Sequence, residues 1–232
     1  RSAVAKWSAA TAYNRGQVLY RIAEVMEGRR EQFISEVSDS EGVSSRKAGS
    51  HIDAAIDRWV WYAGWADKYA QVIGNTNPVA GPFFNFSVPE PTGVVAAVAP
   101  QDASILGLVS VIAPIIVTGN AVIAMPSSSR PIPAITLAEC LATSDVPAGV
   151  VNILTGAPAE VMPWLAERAD VHARDLTGIV DEAVAADLER SAAGTVKRVR
   201  GAAPHADWQA TPSLSRMRAF VEVKTVWHPM GV

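Results

Sequence analysis

The sequence predicts an α/β fold with a parallel sheet flanked by helices, and three observations predict it. After Gly93, short β-branched runs alternate with helix-length segments, the pattern of successive βαβ units. Before Gly93, apolar residues recur at helical spacing over two long stretches. The 232 residues are 49% apolar and 19% charged, enough to bury a core and wrong for a disordered chain.

The elements follow in order. Residues 8–37 carry Leu19, Ile22, Met26, Phe33 and Val37 at spacings of 3, 4, 7 and 4, an amphipathic helical period. The stretch from Glu41 to Ser45 reads as a break. A second helix puts Ile52, Ile56, Trp59, Ala63, Ala66 and Ala70 on one face, with Trp61 and Trp65 off the stripe and free to cover a second contact. Gly74 to Pro82 is a Gly/Pro/Asn-rich connection. Phe84, Phe86 and Val88 then alternate with polar residues as a strand does, and Pro89 and Pro91 predict an edge position because proline cannot donate to a ladder. Asn85-Phe86-Ser87 matches a glycosylation sequon but reads as chance, since nothing else suggests secretion. Strands are expected at 94–98, 121–124 and 150–154, and helices at 103–117, 133–143, 158–168 and 180–192. Residues 201–215 read as a loop, and 219–227 as a last strand.

Net charge is −3, which supplies no basic field for nucleic acid or an anionic membrane. The single cysteine, Cys140, excludes a disulfide framework and a CxxC zinc site. From Ala103 to Ser129 there is no charged residue, yet Pro114 and Thr118-Gly119-Asn120 interrupt the run short of the ~20 apolar residues a spanning helix needs. A buried helix, a tight turn and a buried strand are expected there. Arg1 to Trp7 shows no secretory pattern, and without an initiator Met the chain reads as starting inside a longer one. These features predict a soluble, cytoplasmic domain.

Ligands of such sheets bind at the carboxyl ends of the strands. The exits here are Ala99-Pro100-Gln101-Asp102, Met125-Pro126-Ser127-Ser128, Thr155-Gly156 and Leu176-Thr177-Gly178. None of the glycines forms a G-x-G-x-x-G, and there is no Walker sequence. Cys140, mid-helix, reads as a buried structural thiol rather than a nucleophile. His51, His172, His205 and His228 are scattered without metal-ligand spacing and read as surface or loop residues, so no metal is expected. Asp102 is expected to cap the next helix in preference to acting as a base or metal ligand. Glu41 and Glu90 read as solvated, and Arg15, Arg21, Arg29 and Arg30 as a wet helix face.

The exits, read in order, resemble the N-terminal, cofactor-binding part of the aldehyde dehydrogenase superfamily. That family has a Pro-Trp-Asn turn and then an Ala-x-Gly-Asn-x-Val-x-x-Lys-Pro-Ser-Glu stretch. Here stand Pro100-Gln101-Asp102 and Thr118-Gly119-Asn120-Ala121-Val122-Ile123-Ala124-Met125-Pro126-Ser127-Ser128. The family's Gly-x-Pro-x-Gly-Val-x-Asn-x-x-x-Gly is matched over Val146 to Gly156, with Pro147, Gly149, Val150 and Asn152 in place. Glu90-Pro91-Thr92-Gly93-Val94-Val95 is similar to the strand entering the fold, and Phe220 to Trp227 to the closing oligomerisation strand. The resemblance implies a Rossmann-like domain over 1–200, a loop over 201–218 replacing the catalytic domain, and a C-terminal strand within 219–232. It also implies a small β arm of 83–91 and 219–227, with Phe84, Phe86, Val88, Val221, Val223, Thr225 and Trp227 as oligomerisation residues.

The departures matter as much. Family members hold the adenosine ribose with the Lys and Glu of Lys-Pro-Ser-Glu, where this chain has Met125 and Ser128, and a thioether cannot donate. The Thr-Gly-Ser turn becomes Thr177-Gly178-Ile179. The oxyanion Asn corresponds to Asp102, whose carboxylate would repel a developing oxyanion. Pro100, Asp102, Met125, Ser127, Ser128 and Gly178 are thus expected as a vestigial NAD(P) site without tight binding. The Glu-Leu-Gly-Gly-Lys base motif and the Gly-Gln-x-Cys nucleophile are missing after Val199, so catalytic residues are expected to be absent. Three readings follow from the resemblance. One is a non-catalytic subunit of a hetero-oligomer with a full-length aldehyde dehydrogenase. Another is an NAD(P)-binding part of a split enzyme, and the third is a fragment without a selected role.

Overall fold

The computed structural model describes residues 2–203 and 206–231. Five helices come first: α1 (Ser2–Ala9), α2 (Ala12–Gly28), α3 (Arg30–Glu41), α4 (Ser45–Trp65) and α5 (Tyr69–Ile73). The helical period expected across 8–37 is therefore cut twice. Thr11 has extended backbone and its hydroxyl accepts the Asn14 N–H, starting α2 as an N-cap. At Arg29, after Gly28, the backbone leaves helical geometry and α3 begins. The apolar spacing survives both cuts, since Leu19, Ile22, Met26, Phe33 and Val37 are all fully buried with the Ile52, Trp59 and Ala63 face of α4. Ala70, expected on that face, is exposed because α4 stops at Trp65, and Tyr69 is buried instead. Trp61 and Trp65 pack against each other at the rim of this core.

The body is a five-stranded parallel sheet. Its elements are β3 (Val94–Val98), α6 (Leu106–Val117), β4 (Ala121–Met125), α7 (Ile132–Ala142), β5 (Val151–Ile153), α8 (Pro158–Glu167), β6 (Ala173–Asp175), α9 (Glu182–Ala193) and β7 (Arg198–Arg200). The strand order β5-β4-β3-β6-β7 reverses direction between β3 and β6, which is the doubly wound Rossmann-like arrangement. Alternation along β3 divides the core. Val95 and Ala97 face the N-terminal helices, α6 and α7, while Val94, Ala96 and Val98 face the α8 and α9 side. Every residue of α6 is buried, and no helix among the described residues is long and apolar enough to cross a membrane.

Strands β6 and β7 escape the sequence pattern because Ala173-Arg174-Asp175 and Arg198-Val199-Arg200 carry charge where an apolar run is expected. Arg174 is fully buried and has no carboxylate partner among the described residues. Its guanidinium instead donates to the Ala166 carbonyl in the closing turn of α8, where the helix dipole favours a cation, and to Leu188 C=O and Ser191 Oγ of α9.

The arm is a separate antiparallel sheet of β1 (Asn75–Asn77), β2 (Phe83–Pro91) and β8 (Val221–Pro229), with the short α10 (Ser215–Arg218) just before β8. The edge position expected from Pro89 and Pro91 is not found, because β2 is the central strand. Met230 N–H donates to Pro82 C=O and Thr92 N–H to Phe220 C=O, one step beyond each end of the β2–β8 register. Even-numbered residues of β2 therefore bond to β8, and odd-numbered ones face β1. Since β1 reaches only Ser87, the prolines' missing N–H groups face a flank with no strand. By the same parity, the backbone groups of Val221, Val223, Thr225 and Trp227 point outward from β8, which has no further neighbour among the described residues. Phe84, Phe86 and Val88 share one face with Val226, while Val221, Val223, Thr225 and Trp227 lie on the other with Asn85 and Ser87.

Arm and body meet at Asn120, which is fully buried in the turn between α6 and β4. Its Oδ1 accepts the Gly93 N–H at 2.7 Å, and its Nδ2 donates to Phe220 C=O at 2.8 Å and Thr118 Oγ1 at 2.9 Å. Gly119, at φ 94°, supplies the left-handed step that turns the chain there. Asn120→Ala strands the buried Gly93 N–H and leaves Phe220 C=O with the Thr92 N–H alone, and is expected to cost about 2 kcal/mol. A urea titration should show the midpoint falling with an unchanged slope, and an unchanged midpoint would refute the role.

Candidate functional site

The sequence-predicted site residues stand at adjacent strand exits, but most of them are turned to packing. Pro100 follows β3 and presses on the start of α6, where a Cβ on Gly107 would come within 2.8 Å of its ring. Met125, the last residue of β4, is fully buried in the core that holds Met162, Leu176 and Ile179. Gly178 donates its N–H to Val98 C=O, and a Cβ there would stand 1.9 Å from Ala99 O, so close approach of two backbones requires the glycine.

Gln101 ties the β3 and β4 exits together. Its Oε1 accepts from the Ser128 N–H at 2.9 Å and the Ser128 hydroxyl at 3.1 Å, while its Nε2 donates to Ala99 C=O. Ser127 is fully buried and its hydroxyl donates to Gln101 C=O at 2.8 Å. Both serine hydroxyls and the Ser128 N–H are therefore engaged within the chain. Met125 has no donor to offer, and Ile179 is buried.

Asp102 does not cap α6. It is exposed, and the helix begins at Leu106 with no side-chain cap on its preceding residue. Glu41, expected to be solvated, has a side chain only 4% exposed. Its Oε1 accepts from Ser104 N–H at 2.8 Å and Ser104 Oγ at 2.6 Å, so a carboxylate from the end of α3 holds the loop that leads into α6. His51 Nδ1 lies 3.2 Å from the other oxygen, which removes His51 from the surface class. Glu90 pairs with Lys224 on the arm. His172 is likewise engaged, its Nδ1 accepting the Val94 N–H, while His205 lies outside the described residues. Arg15 is no part of a wet face, being buried and bonded through Nε to Val117 C=O at 2.9 Å. Cys140 is buried in α7, and burial raises its thiol pKa, which disfavours a thiolate nucleophile. No group of three or more His, Cys, Asp or Glu among the described residues is placed to hold a metal ion.

The exit of β6 holds a cluster that the strand pattern does not announce. Asp175 is 1% exposed by its side chain and accepts from the Thr177 N–H at 3.0 Å and the Thr177 hydroxyl. Arg216, from α10, meets its other oxygen at 3.3 Å and lies over the Trp208 ring at 4.9 Å. Arg58 of α4 donates to the carbonyls of Trp208 at 2.7 Å and Ala210 at 3.2 Å. The segment from Ala206 to Arg218 is thus fastened over the β6 exit and α4. A tryptophan inside a Gly/Pro-rich loop, followed by Arg-Met-Arg, is the one signal in the sequence that could have found it. Burial draws down the guanidinium pKa values of Arg58 and Arg216, and Asp175 opposes that shift at Arg216.

Comparison with known proteins agrees with the geometry. The family model described as the aldehyde dehydrogenase family matches residues 1–202. The cytosolic 10-formyltetrahydrofolate dehydrogenase of Xenopus tropicalis is 32% identical over 200 residues, covering 84% of this chain and 22% of the relative. The human protein of the same name is 30% identical over 178 residues, covering 75% of this chain and 19% of its own length. The crystal structure of an NAD-dependent aldehyde dehydrogenase from Sinorhizobium meliloti superposes with a TM-score of 0.76 at 28% identity, over 83% of this chain and 38% of that one. The chain therefore spans about a fifth of the two curated relatives.

Burial pushes the Tyr62 phenol of α4 up to about 12, against an ordinary 10.0. The folded state favours the neutral phenol, so this contribution to stability is whole below pH 10 and is lost as pH rises towards 12. Ultraviolet difference titration should show a tyrosine ionising near the upper value, absent in Tyr62→Phe. A titration that Tyr62→Phe leaves unaltered between those values would overturn the assignment.

Proposed function

Because the chain belongs to the aldehyde dehydrogenase family, we propose that it is a non-catalytic, cytoplasmic subunit that assembles with a full-length catalytic aldehyde dehydrogenase. The observation that carries this reading is the junction after β7. Where the family resemblance calls for a base motif and a cysteine-bearing domain, residues 201–218 run directly to the arm strand β8. Part of that segment lies over the β6 exit, held by Arg58 and Arg216. The remaining cysteine is buried in a helix, so this chain has no thiolate for thioester chemistry.

The arm supports the assembling half of the reading. The outward backbone groups of β8 form an edge to which a partner's strand can add, and Val223 and Trp227 beside them are exposed. A second reading, an NAD(P)-binding half of a split enzyme, draws on the NAD-dependent Sinorhizobium neighbour. The occupied serines and the buried Met125 weigh against it.

Two measurements separate the readings. Affinity purification at native abundance, followed by mass spectrometry and light scattering, should return a full-length aldehyde dehydrogenase in a complex larger than this chain. A stable, soluble monomer with no such partner would overturn the proposal. Calorimetric titration of the chain with NAD and NADP is expected to show no saturable uptake at millimolar nucleotide, and clear saturation would favour the split enzyme.

A further inference from the structure

A cavity of the molecule lies away from the strand exits. It has a volume of about 670 Å³ and opens between α1, the crossover from β2 to β3 and the carboxyl end of α6, at the amino ends of the sheet strands. Its polar lining consists mainly of donors. Arg15, 7% exposed, uses Nε on Val117 C=O and Nη1 on the carbonyls of Ser8 and Ala10. No carboxylate pairs with Arg15 among the described residues, and its Nη2 has no acceptor there. Tyr69 is 3% exposed, and its hydroxyl has no hydrogen-bond partner among the described residues. Burial raises its phenol pKa, so it remains a donor at neutral pH.

His172 completes the set. Its Nδ1 accepts the Val94 N–H at 3.0 Å, so the neutral ring carries its proton on Nε2, as a further donor. The Thr92 hydroxyl, also on the lining, is buried without a partner. Glu90 stands at the wall, but its carboxylate is engaged by Lys224. One uncompensated cation among neutral donors suits one negative charge, and a dianion would leave part of its charge unpaired. The remaining wall, with Val4, Ala5 and Pro91, is apolar and has room for a hydrocarbon chain.

We propose that this cavity binds a small aliphatic monocarboxylate, with the Arg15 guanidinium meeting the carboxylate and Tyr69 and His172 donating to its oxygens. The site is remote from the strand exits and does not depend on the subunit reading. The probes are sodium butyrate and, as the competing oxyanion, inorganic phosphate, titrated into the full chain by calorimetry. Butyrate should saturate a single site and phosphate should bind more weakly. In the same titration by NMR, the Arg15 Nε–H resonance should shift with butyrate.

Tyr69→Phe keeps the ring, and His172→Asn keeps an acceptor for Val94, so both leave the packing in place. Each is expected to weaken butyrate binding by about 3- to 10-fold, the effect of one lost hydrogen bond. The proposal fails if butyrate does not saturate, if phosphate binds in its place, or if both variants bind as tightly as the unaltered chain. If either variant does not fold, the unaltered chain still decides, because an Arg15 resonance that stays fixed at saturation places the butyrate elsewhere and overturns the assignment.

Discussion

A single buried amide holds the architecture together. Asn120 sits in the turn between α6 and β4 and binds at once the start of β3 and the residue before β8. These strands belong to two different sheets. Their relative position rests on groups with no access to water, so each bond must be made inside the protein or lost. Trp7 and Arg15 brace the same corner by donating to Ile116 and Val117 at the carboxyl end of α6. The N-terminal helices, the arm and the parallel sheet thus converge on one helix end and the turn after it.

From that frame the strand exits acquire their character. A ligand cleft needs backbone and side-chain donors left free at the carboxyl edge. Here Gln101 occupies Ser128, Asp175 occupies Thr177, and Gly178 lies directly on β3. The buried Asp175–Arg216 pair then fastens the C-terminal segment over the β6 exit. Such a pair is a poor source of net stability, but loss of either partner leaves the other charge stranded. It therefore acts as a device of position, fixing where residues 206–218 lie.

Much of this was legible in the sequence, and what was not has physical causes. The α6 run, the β3 and β4 strands and the Gly119-Asn120 turn are read directly, because their burial is carried by apolar residues and turn chemistry. Strand β6 is hidden by Arg174 and Asp175, whose charges are satisfied by backbone carbonyls of α8 and α9, by nearby Thr177 and by Arg216, 41 residues on, partners that only the fold brings into place. Glu41 was misread for the same reason, since Ser104 comes to it only through folding. Pro89 and Pro91 correctly signalled a missing ladder bond but not its side, which depends on where β1 happens to stop. The exits were located by pattern. That their donors are occupied depends on the Gln101 rotamer, which no spacing encodes.

The uneven flanks of the arm govern what can be built from it. On one side a three-residue strand and two prolines present nothing that a new strand could pair with along its length. On the other, β8 is exposed from Glu222 to Pro229. A sheet with one reactive rim can add a neighbour once and then has no second rim from which to continue. Any association through this arm is therefore closed after a single step, and filament growth by successive strand addition is ruled out by geometry rather than by charge.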